Sequence, residues 1–363
     1  MDSNKAEYKR LGDYIREVDV RNRNLEVTNL LGLSMTKQFR PSTSNIVGVD
    51  LSKYKIVHKD VFAFDTMSVI RVHKVPIAMN LSKSPIIVSP VYITFECKDA
   101  NILNPKYLMM WFSRDEFDRY ADFKSDAAVR GGYNWKELCD TPIYLPPIEQ
   151  QQKIVSEYEA VTHRIHLNEQ IIANLEETAQ ALYRKMFVDE IDKEHLPEGW
   201  RIGTLGEIAE ISSGKTCKDK SEQQTGTYHW PVAGASGIIG YSPTYNQDER
   251  FITIGRVGTL GVVNRYDGKV FCADNVLIIK SINYEYCYQI LRSIDYKELA
   301  KGGVQSLITQ TDLKNVEVLL PNKHTLNLFE EQVSCLSSQV GLKSQENIKL
   351  AELQSLLLAK MGR

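Results

Sequence analysis

The sequence predicts a mixed α/β (α+β) chain in which two globular domains are joined by two long helices, paired as an antiparallel coiled coil in an internal pseudo-two-fold repeat. Three observations predict it: the chain matches itself between its halves, each half ends in a long segment with apolar residues at heptad spacing, and each begins with short β-rich runs.

The self-match starts from "ALYRKM", ending at Met186, and "SLLLAKM", ending at Met361, which stand 175 residues apart. At that shift Leu138, Leu145, Pro146, Leu175, Leu182, Lys185 and Met186 meet Leu313, Leu320, Pro321, Leu350, Leu357, Lys360 and Met361. Upstream, at a shift of 194, Leu11-Gly12-Asp13 meets Leu205-Gly206-Glu207, so the intervening stretch is 19 residues shorter in the second copy. The period is far longer than that of solenoid repeats. The expected segments are a first globular domain at 1–147, a long helix and linker at 148–199, a second globular domain at 200–321 and a second long helix at 322–363.

Pro146-Pro147 can open a helix but not interrupt one, and Ile148 to Phe187 then runs without Gly or Pro. Ile154, Tyr158, Val161, Ile165, Ile172, Leu175, Ala179, Leu182 and Met186 alternate four and three apart once polar Asn168 fills one step. The second seam carries Phe329, Val333, Leu336, Val340, Leu350, Leu357 and Met361, interrupted by Lys343, Asn347 and Gln354. At about 1.5 Å per residue each helix reaches nearly 60 Å. The simplest burial of both seams is against each other, antiparallel; the alternative is that each helix packs on its own globular part. Asn168 and Asn347 are candidates for fixing register.

Within the globular parts, "SPIIVSPVYITFEC", "RFITIGRVGTLGVVNRY" and "VFCADNVLIIK" read as strands, with "SPVYITFE" a core strand. Short helical patterns follow, "PKYLMMWFSRDEFDRYA" and "YEYCYQILRSIDYKELA", each before a glycine pair, Gly131-Gly132 and Gly302-Gly303. A length of 363 residues with 43% hydrophobic content supplies a core for each domain. The start "MDSNKAEYKRLGDY" lacks an apolar signal region and no run approaches eighteen apolar residues, so a cytoplasmic chain without a membrane span is expected. Cys97, Cys139, Cys217, Cys272, Cys287 and Cys335 show no Cys-x-x-Cys pair and no His at zinc spacing, which points to buried free thiols and no metal.

Charge is uneven along the chain. Residues 1–146 hold 21 Lys+Arg against 18 Asp+Glu, 147–200 hold 5 against 11, 201–321 hold 13 against 13, and 322–363 hold 5 against 4. The net charge of −2 gives no argument for nucleic acid, whereas the local runs Lys53, Lys55, His58, Lys59; Arg71, His73, Lys74; and Lys215, Lys218, Lys220 do suggest phosphate contacts. "SSGKT" is not a phosphate loop, because Ala209 stands five positions before Gly214 where the motif requires glycine. "IGRVGTLG" has the wrong glycine spacing for a dinucleotide loop, and no Asn-Pro-Pro-aromatic or Asp-Pro-Pro-aromatic tetrapeptide of an amino-methyltransferase occurs. The chain reads as non-catalytic, and the residues need no cofactor.

Two variable domains, each followed by "LPPIEQQQKIVSEYEAV…LNEQIIANLEETAQALYRKMF" or its echo, resemble the specificity subunit of type I restriction-modification systems over nearly the whole chain. "YKRLGDYIREVDVRN", "ISSGKT" after "LGEIAEI", and "ITIGRVGTLGVV" are similar to stretches of that family; "LPNKHTLNLFEEQV" departs from its usual Pro-Pro-Leu-x-Glu-Gln helix start. The resemblance implies a protein that reads double-stranded DNA without modifying it. Each globular part would be a target recognition domain, and the helices would set their separation and hold two methyltransferase subunits that carry S-adenosylmethionine and methylate adenine. Motor-nuclease subunits would complete the restricting complex. Since the domains differ in sequence, the target would be split and asymmetric.

For DNA contacts the candidates are polar groups in loops: Lys37, Arg40, Lys55, Arg71, His73 and Arg130 in the first domain, and Lys215, Thr216, Lys218, Arg256 and Arg265 in the second. Arginine suits guanine through a two-pronged contact and lysine suits phosphate; an exposed hairpin turn is the competing role for Arg256. On the residues alone, a non-catalytic coiled-coil scaffold whose domains bind protein is the alternative function.

Overall fold

The computed structural model describes residues 8–43, 48–66, 73–126, 133–189, 191–192, 194–299 and 307–362. The chain divides into two compact units, Met1–Leu167 with Glu346–Arg363, and Asn168–Gln345. Gly131-Gly132 and Gly302-Gly303 lie outside the described residues. Among the described residues no helix is long and apolar enough to cross a membrane.

The first unit contains strands β1 (Tyr8–Arg10), β2 (Ile15–Glu17), β3 (Leu31–Leu33), β4 (Phe39–Pro41), β5 (Lys55–Val57), β6 (Phe62–Phe64), β7 (Ile77–Met79), β8 (Ile86–Val88), β9 (Ile93–Cys97) and β10 (Pro142–Tyr144). An antiparallel sheet in the order β2-β9-β6-β7 carries the core, with the hairpin β3-β4 and the pairs β5-β8 and β1-β10 beside it. Phe62, Phe64 and Phe95 are completely buried, and the Phe62 and Phe95 rings stack at 4.9 Å. Helices α1 (Pro105–Phe112) and α2 (Asp115–Asp126) follow, then α3 (Trp135–Cys139). Asn104 opens α1 by accepting from Lys106 N, with Pro105 at the position where a missing N–H costs nothing. A reciprocal box between Asn134 and Glu137 opens α3.

Helix α4 (Ile148–Phe187) comes next; its first half belongs to this unit and its second half to the other. Val155 joins the first core with Ile154 and Tyr158 against it, and Met361 and Leu358 from the last helix enter the same cluster.

The second unit contains β11 (Arg201–Thr204), α5 (Leu205–Ile208), β12 (Glu210–Ser213), β13 (Trp230–Gly234), β14 (Gly237–Ser242), β15 (Gln247–Asp248), β16 (Phe251–Gly255), β17 (Val263–Tyr266), β18 (Lys269–Cys272) and β19 (Val276–Lys280). Helices α6 (Tyr284–Ser293), α7 (Tyr296–Leu299) and α8 (Gln310–Lys314), strand β20 (Glu317–Leu320) and the long α9 (Lys323–Lys360) complete the chain. The main sheet runs β12-β19-β16-β17, all antiparallel, and β11 closes on β20. This repeats the order of the first unit. A second four-stranded sheet, β14-β13-β18-β15, includes one parallel pair, β13 with β18.

Both long helices do more than meet each other. Ala179, Tyr183 and Phe187 of α4 and Phe329 and Val333 of α9 are buried in the second core, where the Phe187 and Phe329 rings lie 5.1 Å apart. In the first unit Gln354 Nε2 donates to Thr162 Oγ1 at 2.7 Å, Arg164 Nε meets Glu346 Oε1 at 2.6 Å, and Asn347 Nδ2 donates to the Ile165 carbonyl at 3.4 Å. Thr162 faces Gln354 while Ile165, further along α4, faces Asn347, earlier on α9, so the pair is antiparallel. Most heptad residues are half-buried and Asn168 completely buried, while Gln151, Val155, Tyr183 and Phe187, off the expected seam, are buried as well.

The cysteines depart from a uniformly buried set. Cys139, Cys272 and Cys287 are buried, Cys97 and Cys217 are half-buried, and Cys335 is exposed on α9. Burial raises the thiol pKa of Cys97, Cys272 and Cys287 to about 12, which leaves them as unreactive packing groups.

Candidate nucleic-acid interface

In the second unit the ends of β12, β16 and β18 meet at one place. Gly214 follows β12 and its N–H donates to the Val276 carbonyl at 3.2 Å. A β-carbon at 214 would stand 1.9 Å from the Ala273 carbonyl oxygen, so only glycine lets the chain cross the turn before β19. Lys215 N then donates to the Cys272 carbonyl at 2.9 Å, and the Thr216 hydroxyl donates to Asp274 Oδ2 at 2.7 Å. These bonds fix the backbone of the loop while the Lys215 and Lys218 side chains remain exposed.

Arg256, just after β16, joins this place. Its N–H donates to the Asn275 carbonyl at 3.0 Å, and its Nη1 donates to Ser213 Oγ at 3.1 Å. Ser213 also accepts from Gln310 Nε2 at 2.8 Å, and the Arg256 carbonyl accepts from Ile308 N. Arg256 Nε is buried without a hydrogen-bond partner among the described residues. The guanidinium is thus held at one corner by a hydroxyl and makes no ion pair among the described residues, an arrangement that leaves donors for an incoming acceptor. Arg256, Lys215 and, on the same loop, Lys218 form one cluster of donors, whereas Thr216 spends its one hydroxyl proton on Asp274.

Arg265 is placed elsewhere. It sits on β17 with its guanidinium 3.4 Å from the Tyr288 ring centroid and Nη1 at 3.3 Å from Glu285 Oε2, and it also donates to Ser337 Oγ of α9. Glu285 is completely buried and meets Arg250 Nη2 at 2.6 Å, with the Arg250 guanidinium over Tyr284. Arg265 therefore spends its donors inside the protein, tying the sheet to α6 and α9.

The first-unit candidates do not converge on one place. Lys37, at φ +60°, is 9% exposed; its ammonium donates to the Phe112 carbonyl and to Asp118 Oδ1 at 2.7 Å, and lies over the Phe117 ring. Burial lowers its pKa and Asp118 opposes the shift. Lys55, on β5, is 5% exposed, and burial lowers its pKa too. Both are inward-facing, so neither ammonium is displayed on the surface. Arg40 is exposed on β4, its Nε donating to the Leu33 carbonyl at 3.3 Å. His73 is exposed with φ +54°, and its Nδ1 is 2.8 Å from Asp122 Oδ1. Arg71 and Arg130 lie outside the described residues. Among the described residues no group of His, Cys, Asp and Glu could hold a metal ion.

Sequence reasoning passed over His229, Trp230, Tyr245 and Lys269. The Trp230 ring is 4.4 Å from His229 and 5.5 Å from Tyr245, and the Lys269 ammonium lies 5.1 Å and 4.8 Å from the Trp230 and Tyr245 centroids. The signal was absent from the sequence because strand pairing, not spacing, brings these residues together.

The architecture defines two sheet domains repeated along one chain and bound to a shared helix pair, with donor-rich loops at the strand ends. Residues 13–177 and 197–350 match the family described as type I restriction modification DNA specificity domain, and the chain belongs to that family. The type I restriction enzyme HindI specificity subunit of Haemophilus influenzae is 21% identical over 374 residues, covering 76% of this chain and 80% of that one. The EcoprrI specificity subunit of Escherichia coli is 26% identical over 136 residues, 36% of this chain and 34% of that one. The crystal structure of a type I restriction-modification S subunit from M. genitalium shares the fold with a TM-score of 0.59 at 16% identity, covering 99% of this chain and 97% of that one. The chain is accordingly a DNA-recognition specificity subunit of a type I restriction-modification complex, a reading part rather than a catalyst.

Proposed function

We propose that this subunit reads an asymmetric, two-part target on double-stranded DNA, one part with each globular domain, and carries two adenine-methyltransferase subunits to it in the cytoplasm. Motor-nuclease subunits join to form the restricting complex. The four segments 1–147, 148–199, 200–321 and 322–363 act as recognition domain, spacer helix with linker, recognition domain and spacer helix. The observation that carries this reading is that both units hold one strand order, β2-β9-β6-β7 and β12-β19-β16-β17, yet differ in the sheets and basic loops around it. A common frame with different surfaces supports two different half-sites.

In the second domain Arg256 is the base-reading candidate, with Lys215 and Lys218 holding phosphates beside it while Thr216, bonded to Asp274, steadies their loop; in the first, exposed Arg40 and His73 serve with Arg71 and Arg130. Two domains multiply discrimination, because each correctly read base pair is worth only about 1–3 kcal/mol. Partner docking is supported by Leu328, Cys335 and Leu342, seven residues apart along α9 and all exposed, which give that helix a second apolar stripe away from its seam. The test is to map modified adenines in cells expressing the chain and its methyltransferase, then to replace residues 20–130 with those of another specificity subunit. One half-site should change and the other persist. A change in both, or in neither, would sink the two-domain reading.

A further inference from the structure

The parallel pairing of β13 with β18 sets Val232 opposite Phe271 and Ala233 opposite Cys272. The same register places Trp230 and Lys269 together at the start of both strands, and Lys215 and Thr216 dock at the other end, on Cys272 and Asp274. Two donor-bearing places thus terminate one sheet. From Trp230 to Gly234 the strand rises about 13 Å, close to the ~12 Å width of the major groove of B-DNA. The loop between them starts at Gly214, carries exposed Lys215, Lys218 and Lys220, pairs Ser221 with Tyr241 beside β14, and returns to Trp230. Of the loop's two carboxylates, Asp219 accepts the Tyr228 hydroxyl at 2.7 Å and Glu222 is exposed.

At the Trp230 end, Tyr245 is 41% exposed, and among the described residues the Lys269 ammonium makes no direct ion pair, Asp248 being its cross-strand neighbour on β15. Two ring faces attract the ammonium and restrict it, which lowers the entropy lost when it binds an anion. We propose that Lys269, held by Trp230 and Tyr245, is a backbone contact of the second recognition domain: it takes one phosphate at one edge of the groove that the Arg256 loop enters at the opposite end of the sheet. The aromatic rings lie against the adjoining sugar. This rests on the DNA-reading function above, and it adds a site whose contribution is independent of base sequence.

The experiment measures affinity of the full chain in complex with its methyltransferase partner across a salt series, on a duplex bearing the mapped target and on a random-sequence duplex. Lys269→Gln should weaken binding to both alike, about threefold to tenfold, and flatten the slope of log affinity against log salt by about 0.9, the value of one phosphate contact. Lys269→Arg should keep the slope. Trp230→Ala should weaken both duplexes through loss of the restraint, and Trp230→Phe should not. Arg256→Ala is the control, with its loss confined to the target duplex. Unchanged affinity and slope for Lys269→Gln alongside a normal Arg256→Ala loss would overturn the phosphate contact and leave the reading function standing. A Lys269→Gln loss confined to the target would make it a base contact, and an equal loss in Lys269→Arg would assign the effect to folding; either overturns the proposal. Failure of the unaltered complex to bind either duplex would remove the reading function and this inference together.

Discussion

Gln151 on α4 and Glu330 on α9 do the same mechanical task with different chemistry. Gln151 is completely buried; its Oε1 accepts from Asn104 N at 2.9 Å, at the start of α1, and its Nε2 donates to the carbonyls of Ile102 and Pro146. Glu330 accepts from Tyr286 N at 2.8 Å and Glu285 N at 3.1 Å, capping α6, whose own N-cap Asn283 makes no side-chain cap bond. In each unit the long helix is thus pinned to the start of the helix behind the sheet: Glu330 takes first-turn donors of α6, whereas Gln151 takes the N–H of Asn104, whose own side chain serves Lys106 and Tyr107. The first unit uses a neutral amide that both accepts and donates. The second uses a carboxylate at a helix N-terminus, where the dipole favours negative charge, and adds the Arg250–Glu285–Arg265 set nearby. The difference teaches that the repeat preserves a position and a job, while the groups that do the job are free to change sign and polarity.

The comparison breaks most readily at Glu285. Glu285→Ala leaves Arg250 and Arg265 facing each other without their carboxylate and should cost about 3 kcal/mol, the lower end for splitting a buried pair because Arg250 retains water contact. Hydrogen exchange should place the lost protection within residues 168–345. Uniform loss over the whole chain would show that the two units do not hold their stability separately.

A smaller effect is expected in the first unit. Lys37→Met keeps the aliphatic stem but strands Asp118, which retains only the Val75 N–H at 3.1 Å, so about 2 kcal/mol should be lost. The pH dependence follows from the depressed Lys37 pKa. Between that value and its ordinary 10.5 the unfolded chain binds more protons than the folded one, so this group makes stability rise with pH across the alkaline window. Thermal melts of the Lys37→Met chain should lack that rise; an identical alkaline profile would remove Lys37 from the account.

Least costly should be Glu330→Ala, at about 1 kcal/mol for a lost helix cap. Burial holds the Glu330 carboxyl above its ordinary 4.5, partly opposed by the N–H groups of Tyr286 and Glu285. Between 4.5 and that raised value the folded chain binds more protons, so this group makes the second unit more stable as pH falls through the window. Gln151 has no proton to exchange there. Glu330→Gln should abolish the acid contribution, as read by melts between neutral and mildly acid pH, and persistence of the effect would point to another carboxylate.

The repeat, the helices and the strand-rich domains were legible in the sequence because they rest on local causes: a heptad period, proline before a helix, β-branched runs between turns. The heptad spacing singled out Asn168 and Ile165, the first buried and the second half-buried, but it gave no notice of Tyr183 or Phe187, which are buried among α6 of the second domain and Phe329 of the opposite helix. The loop of Lys215 and Lys218 was legible as a loop, but Arg40, Lys55 and Arg265, expected in loops, stand on β4, β5 and β17. Whether a cation faces water was not legible: Lys37 and Arg265 stand in stretches as polar as those of Lys215 and Lys218, yet Asp118, 81 residues from Lys37, and Glu285, across the sheet from Arg265, draw them inward. Carboxylate partners at that distance in the chain are a product of sheet order and helix packing. Sequence by itself determined the repeated plan, which depends on patterns that neighbouring residues impose on each other, and its resemblance to a known family pointed to the class of protein. Tertiary structure alone decided which charges are spent inside and which remain exposed, because that depends on the desolvation cost and the counter-charge each group meets after the chain has closed.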